Sequence, residues 1–280
     1  MLKGRRFAEV GKLEEARREF ASALELRPEN VEGHYGLGFV ALQEGRLEES
    51  RLRFVEALKI DPLHRMARRK LGVVRAKLGD FEGAEEEFRT LVTLDPSDAV
   101  ARKHHGAALR DLGRLSEARA ELEAALELNP RHADAYHALG LLEAKEGNLQ
   151  AAWEMHRAAV EIDPGHVQAL NQMGVLLARA GRTGDAMDHF TQAIKANPKY
   201  SIARFNLAVA YQRQGRHEMA IPELERVVAL EPGHAATYRK LASSYERVGR
   251  LDDARIATEK LRRLEEAIHG PTPVNPAEGK

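Results

Sequence analysis

The chain contains no cysteine, a single tryptophan, and aromatic residues at only 5% of its 280 positions. The first absence excludes disulfide staples and thiolate metal centres. The scarcity of rings argues against a nucleic-acid groove, where aromatic side chains interleave with bases. Net charge is missing too. The 43 lysines and arginines balance 43 aspartates and glutamates, so no overall field draws the chain to nucleic acid or to an anionic membrane. No apolar run approaches the length of a membrane span, and the opening MLKGRRFAEVGKLEE lacks the apolar core of a secretion signal. A cytoplasmic protein without a nucleic-acid partner and without membrane insertion is expected.

What the sequence does have is a period. Proline falls at Pro28, Pro62, Pro96, Pro130, Pro164, Pro198 and Pro232, each step being 34 residues. Glycine keeps the same beat from Gly11 and Gly45 through Gly79, Gly113, Gly147, Gly181 and Gly215 to Gly249. One structural unit is therefore copied head to tail, and domain counting by length does not apply. The units are 31–64, 65–98, 99–132, 133–166, 167–200, 201–234 and 235–268, preceded by 1–30, which matches the last thirty positions of another. That first unit reads as truncated, as at the edge of an array or inside a longer chain. Residues 269–280, HGPTPVNPAEGK, read as a disordered tail.

Within 31–64, Tyr35, Gly38, Phe39 and Leu42 share one helical face, and Gly45 ends that helix. Leu47, Phe54, Val55 and Leu58 form the apolar face of a second helix, which Pro62 prevents from continuing. Each unit is thus an antiparallel helix pair. Gly4, Gly38, Gly72, Gly106, Gly140 and Gly174, then Ala208 and Ala242, recur inside the first helix. Glycine there costs about 1 kcal/mol against alanine, so its repetition implies close helix approach. Facing it stand Ala16, Ser50, Ala84, Ala118, Ala152, Ala186, Ala220 and Ala254, with a bulky plug such as Phe20, Phe54, Phe88 or Phe190 four residues later. Pro222, near the start of its helix, predicts a modest local kink.

The Leu37-Gly38 pair, the Ala84–Phe88 spacing and the closing Asp61-Pro62, on a strict 34-residue register, resemble the tetratricopeptide repeat over residues 1–268. The resemblance implies an all-α fold: a right-handed α-solenoid, or superhelix, of antiparallel helix pairs. The tryptophan that the family places near the unit start is absent, and His34, Arg68, Arg102, Tyr136, Leu170, Arg204 and Tyr238 stand there instead. The departure reads as drift. A pentatricopeptide array, with a 35-residue period, would have slipped out of register along this chain.

No nucleophile elbow, HExxH, Walker loop or paired-carboxylate pattern is present, so neither catalysis nor a cofactor is expected. The GHYGLG at 33–38 follows no strand and is explained by the packing glycine. His64, His132, His166 and His234 share the last repeat position and are expected to start helices. Adjacent repeats lie about 10 Å apart, too far for these rings to converge on one metal. His105 and His156 occupy positions where other units carry Leu or Phe, and read either as hydrogen-bonded core histidines or as a pH-responsive joint across 99–166.

The resemblance also implies that ligands contact a concave surface lined by the first helices. One column there reads Gln43, Lys77, Asp111, Lys145, Arg179, Arg213 and Arg247; a second reads Tyr35, Arg69, Lys103, His137, Asn171, Phe205 and Arg239; a third begins at Phe39 and includes Val175 and Val209. Arg110 and Asn206 join them. The expected groove is basic through its middle and C-terminal units, with apolar patches at Tyr35/Phe39 and Ile202/Phe205/Val209, while Glu85, Glu86, Glu87, Glu121 and Glu123 face outward. The first column lies in the last helical turn, so complementing the helix dipole explains it equally well. Asn171 and Ala236 stand where the chaperone-tail carboxylate clamp has lysine, and position 6 (Gly36, Lys70, His104, Ala138, Gln172, Asn206, Lys240) forms no asparagine ladder. The expectation is a non-enzymatic interaction scaffold. Its protein or peptide ligand is an extended acidic or carboxylate-bearing segment held by charge-assisted bonds. The alternative is the substrate-recruiting array of a larger transferase. The open ends of a solenoid also leave surfaces for self-association.

Overall fold

The computed structural model describes residues 2–269, and residues 270–280 of the expected tail lie outside them. The described residues form sixteen helices and no strand: α1 (Leu2–Glu9), α2 (Leu13–Leu26), α3 (Val31–Gln43), α4 (Leu47–Ile60), α5 (Arg65–Leu78), α6 (Phe81–Leu94), α7 (Ala99–Asp111), α8 (Leu115–Leu128), α9 (Ala133–Glu146), α10 (Leu149–Ile162), α11 (Val167–Arg179), α12 (Thr183–Ala196), α13 (Ser201–Arg213), α14 (His217–Leu230), α15 (Ala235–Arg247) and α16 (Leu251–His269). Helix α16 takes in His269, and α14 runs unbroken through Pro222. The chain forms two compact units, Met1–Glu146 and Gly147–Lys280. In the first, α1 packs on α2, α3 on α4, α5 on α6 and α7 on α8. In the second, α11 packs on α12, α13 on α14 and α15 on α16. Successive first helices touch as well, as α3 does α5 and α11 does α13.

Each pair closes on a notch. Phe190 is 2% exposed, and a Cβ added at Gly174 would stand 2.5 Å from its ring. At Gly38 the facing small residue is Ser50, fully buried, whose hydroxyl donates to the Gly38 carbonyl at 2.8 Å. The turn that ends each first helix carries a glycine at positive φ, as at Gly79 (+83°) and Gly181 (+77°). An added Cβ meets nothing within 4 Å at either, so backbone conformation alone selects glycine there.

The missing tryptophan has a physical replacement. Arg102 donates to the Pro96 carbonyl at 2.9 Å and to Glu121 of the paired helix at 2.9 Å. Arg68 makes the same two bonds to Pro62 (2.8 Å) and Glu87 (2.6 Å), and Arg204 to Pro198 (3.0 Å) and Glu223 (2.6 Å). His34 reaches the Pro28 carbonyl at 2.9 Å. The substitution is a polar clamp on the inter-repeat turn rather than drift. It also corrects the expected outward position of the acids: Glu85 and Glu87 are each only 6% exposed, and Glu87 answers Arg68. Burial pushes the Glu87 carboxyl up, against the opposing pull of Arg68 and Arg75.

Three expectations follow for unfolding experiments. Gly174→Ala gains about 1 kcal/mol of helix propensity but sets a Cβ against the Phe190 ring, which must shift, so a net loss of about 1 kcal/mol is expected from chemical denaturation. Gly181→Ala loses about 1 kcal/mol through its backbone alone. Arg204→Ala leaves Glu223 and the Pro198 carbonyl without their shared donor and lowers stability by about 1–3 kcal/mol in the same assay.

Candidate peptide-binding surface

Helices α3, α5, α7 and α11 start on side-chain caps, whereas Tyr200 and His234 make no such bond at the starts of α13 and α15. Asn30 accepts from the Gly33 amide at 2.9 Å, and Asp98 from that of Ala101 at 2.9 Å. His64 and His166 do the same with Nδ1, at 3.0 Å to Ala67 and 3.2 Å to Ala169. A ring nitrogen accepts only when unprotonated, so both caps need neutral imidazoles with the proton on Nε2. The fifth residue of a repeat lies against the cap that follows. The Tyr35 ring is 5.3 Å from His64, Arg69 donates to Asp98 at 2.8 Å, and Phe205 meets His234 edge-on at 5.3 Å.

This geometry divides the sequence-predicted residues. In the first unit most of the charge is consumed internally. Arg69 is held by Asp98, Arg110 bonds its neighbour Asp111 at 2.7 Å, and Lys145 donates to the Arg110 carbonyl at 2.5 Å. Lys103 lies 3.3 Å from His104 and 3.8 Å from Asp134. Burial lowers its pKa, with Asp134 pulling the other way and Arg69 adding to the fall. Lys77 stands exposed at the end of α5. In the second unit Arg239 pairs with Glu265 at 2.7 Å across α15 and α16. Arg69, Lys103, Arg110 and Arg239 therefore have structural partners, which helix dipoles had left unexplained. Asn171, 3% exposed, accepts from the Asn206 amide at 2.8 Å and fixes its orientation.

Three arginines of the second unit differ. Arg179, Arg213 and Arg247 close α11, α13 and α15, are exposed, and have no ion-pair partner among the described residues. Arg179, Asn206 and Arg213 converge on a cavity of about 160 Å³ whose apolar wall is Val175, Phe190, Val209 and Ala210. Two free guanidiniums and an oriented amide above an apolar floor suit a carboxylate joined to an aliphatic stem. A second cavity, of about 340 Å³, opens in the first unit beside Tyr35 and Phe39.

The two odd histidines fall in different compact units. His105, 7% exposed, lies with Nε2 3.2 Å from Glu85 and Nδ1 3.5 Å from Glu121. His156 is 1% exposed, and burial, with His166 adding to it, lowers its pKa to about 4. Sequence reasoning missed His104, whose ring stacks on Phe88 at 5.0 Å. Burial, then Lys103 and Arg69, lower its pKa to about 3. Its neighbour Lys103 and the plug Phe88 were the available signals.

An all-helical chain of clamped helix pairs on one strict period is a helical-repeat protein. Tetratricopeptide repeat profiles match residues 1–62, 40–99, 171–235 and 210–268, with related repeat profiles matching 106–147 and 133–166. The chain belongs to the tetratricopeptide repeat family. No curated protein matches it in sequence. Among solved structures it is similar to a tetratricopeptide repeat protein from Parabacteroides merdae, at 18% identity and TM-score 0.71, covering 86% of this chain and 96% of that one. It is also similar to the Cut9–Hcn1 hetero-tetramer of the APC/C, at 16% identity and TM-score 0.68. That match covers 85% of this chain, which spans only 47% of the other. YrrB, described as a tetratricopeptide repeat protein with an unusual peptide-binding site, matches at 20% identity and TM-score 0.50, over 64% of this chain and 92% of its own. At these identities the likeness is one of fold. No helix among the described residues is long and apolar enough to cross a membrane.

A half-buried neutral histidine makes stability pH-dependent with a definite sign. The unfolded ring takes a proton near pH 6.5, and the folded His104 resists until about pH 3. Its contribution is complete above about pH 6.5 and falls progressively as the pH drops toward 3. At pH 5 about 2 kcal/mol is lost, and His104→Phe, which keeps a ring on Phe88, should flatten that part of the urea-midpoint profile between pH 7.5 and 5.

Proposed function

We propose that the protein is a non-catalytic interaction scaffold that holds an extended acidic or carboxylate-bearing peptide segment along its first helices. The observation that carries this reading is the cavity bounded by Arg179, Asn206 and Arg213, where cations without internal partners stand over an apolar wall. Many other arginines are spent on clamps and neighbouring acids, as Arg69, Arg102 and Arg204 are. An arginine left free costs nothing to desolvate until a ligand arrives, and then forms charge-assisted bonds about twice as strong as neutral ones. Phe205 and the exposed Ile202 lie on the same helix as Asn206 and Arg213 and offer apolar contact. The peptide-binding site described for YrrB supports the class of ligand, though not its sequence.

The expected result with an array of synthetic acidic peptides and their Gln/Asn-substituted counterparts is selective retention of the acidic set, weakening as salt rises. Arg179→Glu with Arg213→Glu should lower affinity for the retained peptides by at least about tenfold, or about 1.4 kcal/mol, in fluorescence anisotropy, with only the small fall in thermal midpoint that lost dipole complementation brings. Equal retention of the neutral set, or undiminished binding by the double variant, contradicts the proposal. Salt-sensitive retention of single-stranded nucleic acid in place of peptide would redirect it.

A further inference from the structure

The cavity of about 340 Å³ in the first unit has a different chemistry from the arginine seat. Its wall is Ala8 from α1, Phe20 from α2, Tyr35 and Phe39 from α3, and Met66 from α5. It opens there because α3 carries Gly36 where α5 and α7 carry Lys70 and His104. No side chain fits at Gly36: a Cβ would stand 2.5 Å from the Phe20 ring.

Arg5, Glu32 and His64 at this cavity are engaged with one another. Arg5 is bonded to Glu32, the other Glu32 oxygen lies 3.5 Å from His64 Nε2, and His64 Nδ1 holds the Ala67 amide at 3.0 Å. Burial pushes the Glu32 carboxyl up, but the bond and charge of Arg5, with His64 after it, hold it below the usual range. At the mouth stand the exposed Glu9 and the Lys70 ammonium, which lies 5.7 Å from the centre of the Phe39 ring. A carboxylate guest would face Glu9 and Glu32, and a cationic one would draw Glu32 from Arg5, whereas an uncharged one breaks no pair. The volume lies at the lower end of the range of about 300–1,000 Å³ typical of ligand pockets, room for one large side chain with its adjoining backbone.

The geometry points to a binding site for one bulky uncharged side chain, aromatic or long aliphatic, of a docked segment. The inference rests on the peptide-groove reading and names what this part of the groove takes.

The test uses the full chain with isotopically labelled methionine methyls, the Met66 signal being identified by Met66→Leu. Blocked phenylalanine, glutamate and lysine amides are titrated in turn at neutral pH. The expected result is a saturable Met66 shift with the phenylalanine amide alone. Ala8→Trp, which fills the cavity, should abolish it. No saturable shift with the phenylalanine amide, or an equal response to the glutamate or the lysine amide, overturns the site. Because Met66 lies in the first unit, these outcomes are separate from peptide binding at Arg179 and Arg213, whose failure would sink the groove reading and leave the cavity's own preference measurable.

Discussion

The fold depends on how closely the two helices of each pair approach at one point. A first helix without a side chain at Gly38, Gly72 or Gly174 meets a second helix that offers Ser50, Ala84 or Ala186, and an aromatic ring fills the space beside them. Dispersion falls off steeply with distance, so a gap of an ångström forfeits much of the contact. The strict repetition of small residues follows from that sensitivity. It also sets which faces remain outside the notch and hence which side chains are free to meet a ligand.

The second constraint is polar. The turn between repeats exposes backbone carbonyls that need donors, and an arginine at the start of the first helix supplies them while reaching across to the second helix. A tryptophan in that position fills space; the arginine both fills and bonds, and it draws a glutamate inward. Glu87 and Glu121 belong to the joints for this reason. The balanced composition of the chain is thus not evenly spread between core and surface. Opposite charges meet at the joints, and the inner ends of α11, α13 and α15 keep cations that are not neutralised there.

Helix capping ties the inner face to the same joints. The residue at the fifth position of a repeat rests on the cap of the next helix, as Tyr35 does on His64 and Arg69 on Asp98. A residue can therefore look like a ligand contact by its place in the repeat and yet have a structural partner. Where the partner is an acid, the cation is spent; where it is a neutral ring, an apolar surface remains open. The two cavities in the two compact units reflect these outcomes.

Much of the architecture was legible in the order of residues. Proline and glycine act on the backbone locally, so the 34-residue period, the helix ends at Gly79 and Gly181 and the start of helices at His64 and His166 follow from the chain alone. The small-residue comb likewise announced the notch, because only steric closeness explains glycine inside a helix. The availability of charge was not legible. Arg69 and Arg213 both stand in columns expected to meet a ligand, and what separates them is whether an acid from elsewhere in the chain lies within about 3 Å. Such distances arise from packing between residues far apart in sequence, as between Arg69 and Asp98 or Asn171 and Asn206. The tertiary structure alone decided which cations are free, because ion pairing depends on where side chains end up and not on where they stand in the repeat.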